Sequence, residues 1–151
     1  CEKFNKEYEN RLKVSKNLMT RTLEQLSDSN VEDLCNLNNQ ALPDHSCTYD
    51  MVSIFNQVDM DKLMNNLLKL NNESLNTFTH FIRGRYDLSH NLGNWINETD
   101  EDIKPLEKLK EKVDETIKSE EYIRKGAFMN LSKSLDGAIK RCKGDLHASP
   151  F

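Results

Sequence analysis

A chain of 151 residues, 36% apolar and 30% charged, is long enough for one domain with a sizeable core and needs no metal to hold it. Five Gly and three Pro leave too little punctuation for a many-stranded sheet, and short strands bounded by turn signals are not seen. The net charge of −4, with 6 basic against 9 acidic residues over 1–50, 4 against 6 over 51–100 and 11 against 10 over 101–151, excludes the basic footprint that nucleic acid or an anionic membrane requires.

Residues 2–27 read as a first helix, because Phe4, Tyr8, Leu12, Met19, Leu23 and Leu26 fall within one narrow arc at helical spacing. Ser27-Asp28-Ser29-Asn30 ends it with side chains that compete for backbone hydrogen bonds. Asn30 is expected to cap a short helix over Val31–Asn38, with Glu32 and Asp33 at its positive end. Asn38–Thr48, which contains Pro43, reads as an irregular loop. From Tyr49 to Leu70 the apolar pattern changes face: Met51, Ile54, Phe55 and Val58 lie on one side, and Met60, Leu63, Met64, Leu67 and Leu70 roughly opposite. This pattern predicts a kink or break near Gln57–Asp59, with Asp59 capping the new start.

Asn71-Asn72-Glu73 reads as a turn, and Ser74 as a weak cap of a central helix over Ser74–Ile96. Leu75, Phe78, Phe81, Ile82, Tyr86, Leu92, Trp95 and Ile96 cover about half its circumference, so it is expected to touch several neighbours. Thr99 and Asp102 resemble a capping box, and Pro105 suits a first helical turn. Ile103, Leu106, Leu109, Val113 and Ile117 form a stripe that resumes in phase at Ile123, Ala127, Leu131, Leu135 and Ile139. Residues 102–141 are therefore either two helices joined at Ser119 or one hinged helix, with Gly126 and Gly137 on the polar side. Residues 143–151 are expected to form a tail. The fold class expected is all-α, a single-domain bundle of four to five helices.

Four cysteines, Cys1, Cys35, Cys47 and Cys142, contain no CxxC pair and no zinc spacing. The ligand set Cys35, His45 and Cys47 is conceivable, but two disulfides are the simpler reading. Cys35–Cys47 and Cys1–Cys142 are the most economical pairing. In a simply alternating five-helix bundle, however, the ends carrying Cys1 and Cys142 fall on opposite sides. Sequons at Asn72, Asn97 and Asn130 agree with a secretory route. The start at Cys1 without Met reads as a removed signal peptide, with acylation of a bacterial lipoprotein as the second reading. No apolar run approaches the ~20 residues of a membrane span.

Catalytic and metal chemistry find little purchase. His45, His80, His90 and His147 are scattered, no glycine elbow surrounds a serine, and no Gly-rich phosphate loop is present. Glu98, Asp100, Glu101 and Asp102 lack the loop spacing of a calcium site and read as acidic complements to a helix dipole. The Lys-rich stretch 104–118 reads as a solvated face of alternating Glu and Lys. Neither an enzyme nor a cofactor is expected. The residues expected at a partner surface are Arg83 and Arg85, near the apolar arc of the central helix, and the loop His45–Tyr49. Met51, Met60 and Met64 read as core filling.

Asn-, Lys- and Glu-rich helices bracketed by a few cysteines, without a catalytic motif, resemble the small secreted helical salivary proteins of blood-feeding insects. Chain length, four cysteines, sequons and long helices are similar to the architecture of helical cytokines. The resemblance implies secretion into a host, binding of a receptor or plasma protein, and modulation of immune or haemostatic signalling. The alternative is an extracellular carrier of a small lipid or amphiphile in a cavity between helices.

Overall fold

The structure, a computed structural model, describes residues 17–41, 54–86, 102–119 and 122–143. Among these residues every regular element is a helix. They are α1 (residues 17–24), α2 (Val31–Ala41), a 3-10 turn (Phe55–Gln57), α3 (Met60–Lys69), α4 (Asn72–Arg85), α5 (Ile103–Ser119) and α6 (Tyr122–Cys142). The count exceeds the expected four to five for two reasons. The 49–70 stretch breaks, and 102–141 is two helices, α5 and α6, packed on one another.

The break falls where the apolar pattern changes face. Val58 turns extended (φ −85, ψ 135), and the Asp59 carboxylate accepts from the backbone N–H groups of Asp61 and Lys62. Because the chain reorients there, Ile54, Phe55 and Val58 point into the same core as Met60, Leu63, Met64, Leu67 and Leu70. The start of α4 differs from expectation. Asn71 is its cap, accepting from the Ser74 N–H at 2.8 Å, and Asn72 and Glu73 already belong to its first turn. Asn30 does not turn its side chain onto α2: its Oδ1 accepts from the Ser27 N–H at 2.8 Å and its Nδ2 donates to the Gln25 carbonyl at 3.2 Å. The asparagine thus closes the end of α1, in line with the tendency of Asn to bond nearby backbone in turns.

Helix direction follows from paired residues. Asp28 meets Asn71, and Cys35 meets Thr77, so α2 and α4 run in the same sense. Leu70 meets Arg124 and Arg83 meets Ser134, which gives α6 that sense too. Asp114 meets Ser132 and Glu107 meets Lys143, so α5 runs opposite to α6. Phe55 at Asp102, Asp61 at Lys112 and Leu70 at Arg124 place α3 along the return direction. Directions therefore alternate from α2 to α6. α4 lies between α2 and α6, and α5 between α6 and α3.

The core matches the expected arc of the central helix: Leu75, Phe78, Phe81, Ile82 and Tyr86 are at most 1% exposed. Each such side chain stabilises by roughly 1.5–3 kcal/mol through apolar burial. α4 ends at Arg85, with Tyr86 as its cap residue; the expected continuation to Ile96 lies outside the described residues. On α6 the buried arc is wider than the stripe read from sequence, taking in Phe128, Ser134, Gly137, Ala138 and Cys142 as well as Ala127, Leu131, Leu135 and Ile139. A helix packed on both α4 and α5 must bury more than one stripe, so Gly137 lies inside rather than on the polar side.

Neither expected disulfide is present among the described residues. Cys35 and Cys142 are not bonded to one another, and their expected partners, Cys47 and Cys1, lie outside the described residues. The Cys35 sulfur faces α4, 4.0 Å from the Thr77 carbonyl oxygen, and Cys142 is fully buried at the end of α6.

Candidate functional site

The densest polar arrangement in the core joins three elements at one end of the bundle. Asp102, just before α5, is fully buried; its Oδ1 accepts from the Phe55 N–H at 3.0 Å and its Oδ2 from the Tyr86 hydroxyl at 2.5 Å. Tyr86, also fully buried, stacks on Phe55 with ring centroids 6.4 Å apart, and the Phe81 ring also lies 6.4 Å from Phe55. Burial pushes the Tyr86 phenol well above its ordinary range, and the negative charge of Asp102 adds to this, with Arg85 opposing. Buried tyrosines need a partner for the hydroxyl, and a charged acceptor makes the strongest one. The group is closed to substrate on the described sides and ties the 3-10 turn, α4 and α5 together.

This position adds burial to the reading of Asp102 as an acidic complement to a helix dipole. A carboxylate at a helix start can serve the dipole from the surface, yet here Tyr86 and Phe55 supply donors that only a buried acceptor can use. Glu98, Asp100 and Glu101 lie outside the described residues. The available signal was Tyr86 itself, a hydroxyl set inside an apolar arc.

The two arginines expected at a partner surface turn inward. Arg85 is 2% exposed. Arg83 is half-buried and donates from Nε to the Ser134 hydroxyl of α6 at 2.9 Å. Arg85 does not present its guanidinium as a surface anchor, because α4 packs between α2 and α6. His45 and Tyr49 lie outside the described residues, and His80 is exposed. Of the sequon asparagines, Asn130 is exposed on α6 and Asn72 is half-buried, its amide oxygen enclosed without a hydrogen-bond partner; Asn97 lies outside the described residues.

Other polar ties are likewise internal. Arg124 donates to the Leu70 and Leu68 carbonyls at 2.7 and 3.0 Å, satisfying the C-terminal end of α3, and its guanidinium lies 5.4 Å over the Phe128 ring. Asp114 accepts a short hydrogen bond from Ser132 and pairs with Lys110 at 2.8 Å. Burial raises the Asp114 carboxyl, but the Lys110 and Ser132 bonds outweigh it and leave it below the ordinary range. Lys112 bridges α5 to Asp61 of α3 at 2.6 Å.

The outer face of α6 is different. Lys125, Gly126, Met129, Asn130 and Lys133 are all exposed, and Met129, at 53%, is the most exposed large apolar side chain among the described residues. A Cβ built on Gly126 would meet nothing within 4 Å.

Among the described residues no three His, Cys, Asp or Glu side chains gather at metal-binding distance, and no helix is long and apolar enough to cross a membrane. No family model matches this chain, and neither the curated proteins nor the solved structures give a match.

Proposed function

We propose that the protein is a secreted, non-catalytic helical effector that binds an extracellular receptor or plasma protein and modulates immune or haemostatic signalling. The observation that carries this reading is the burial, among the described residues, of the groups best suited to chemistry. Asp102, Tyr86 and Arg85 are at most 2% exposed and serve the bundle itself, which leaves recognition to outer helix faces. The all-helical architecture agrees with it. The pairing Cys1–Cys142 and Cys35–Cys47 belongs to the same proposal. With directions alternating from α2 to α6, a first helix running against α2 would begin at the end where Cys142 lies, a parity that the five-helix arrangement lacked.

Saturable binding of labelled chain to blood-cell surfaces or immobilised plasma proteins tests the reading, together with native mass spectrometry of protein from a eukaryotic secretory host. Saturable, competable binding and a mass four hydrogens below the reduced, deglycosylated chain support it. An extra mass removed by organic solvent, with no saturable binding, contradicts it in favour of a carrier of lipid or another small amphiphile.

A further inference from the structure

The helix that presents Met129 also sets two lysines around it. Lys125 and Lys133 stand one turn before and one turn after, in a row at i, i+4 and i+8. Lys110, Lys112, Lys140 and Lys143 each pair with a carboxylate, whereas Lys125 and Lys133 have no ion-pair partner in the described structure. These two cations, about 12 Å apart along the helix, flank an apolar side chain, with bare backbone at Gly126 beside it. Methionine adapts to apolar partners, and lysines at the rim select by charge.

We propose that this outer face of α6 is a docking surface for an acidic protein segment, one carrying carboxylates about 12 Å apart with an apolar side chain between them. The inference rests on the effector reading and gives it a location and a partner chemistry. Charge complementarity commits the occupant: a second copy of this face would oppose lysine to lysine, and a basic segment would be repelled.

The test uses the full chain labelled at methionine ε-methyl groups. Met19, Met60 and Met64 are buried and serve as internal controls for the exposed Met129. The probe is a helical peptide with Glu at i and i+8 and Leu at i+4, against a control with Lys in place of Glu. The Met129 signal is expected to move saturably with the acidic peptide alone, with binding weakened about tenfold or more in the Lys125→Glu/Lys133→Glu variant. An unmoved Met129 signal, equal response to the basic peptide, or unchanged affinity in the variant overturns the proposal, as does an N-glycan on Asn130 covering the face. Native-like methyl spectra of the variant verify its fold. If the wild-type chain binds extracellular proteins saturably and the variant does so equally well, the location fails while the effector reading survives. If the wild-type chain binds none, that reading itself fails.

Discussion

Asp102 receives hydrogen bonds from residues 16 and 47 positions away in the chain, so its removal reaches well beyond one helix start. Asp102→Ala leaves the Phe55 N–H and the Tyr86 hydroxyl without this acceptor, and is expected to destabilise by roughly 2–5 kcal/mol in urea unfolding. Tyr86→Phe is expected to cost about 1–2 kcal/mol. The double variant should fall short of their sum by about 1 kcal/mol or more if the contact is direct. The phenol also sets an alkaline response. Its folded pKa is raised, so the stability it contributes is fully present below the ordinary tyrosine value of about 10 and is lost as pH rises above it. Tyrosinate absorbance should show one group ionising only with unfolding, and Tyr86→Phe should remove that component alone. At this scale the sequence was half legible. The Tyr86 position in an apolar arc marked burial, but nothing local marked its acceptor, because the partner arrives from another helix. The burial of Arg85 was hidden for the same reason: it lies beside the arc, and only the packing of α4 between α2 and α6 encloses it.

Elements were legible wherever their ends are written locally. Asp59 caps α3 through its own side chain, as the spacing predicts, and Asp59→Ala is expected to lower stability by about 1 kcal/mol in thermal or denaturant unfolding. Asn30 misled because its competing bonds, to Ser27 and Gln25, satisfy the preceding turn as well as a cap would satisfy the next helix. The α6 stripe was read too narrowly, since a single periodic stripe implies one neighbour and α6 has two. On its outer side Gly126 is exposed with open space where a Cβ would sit. Gly126→Ala is therefore expected to stabilise by about 0.5–1 kcal/mol, measurable as a higher urea midpoint at unchanged slope.

For the whole molecule, the alternating α2–α6 arrangement divides its side chains by role. Inward polar groups, Asp102 with Tyr86 and Arg83 with Ser134, join elements distant in sequence. Outward, α6 holds Met129 between two lysines that have no ion-pair partner among the described residues. The all-α class was readable from composition and periodicity, because few Gly and Pro and long 3.6-residue stripes admit little else. The proposed docking face was not, since Met129 stands alone against the polar side of its helix and becomes a feature only when packing fixes which side faces solvent. The most direct measurement is competition for the saturable sites occupied by labelled wild-type chain, using unlabelled wild type and Lys125→Glu/Lys133→Glu as competitors. Displacement by wild type and about tenfold weaker displacement by the variant are expected. Equal displacement by both would contradict the proposed docking face.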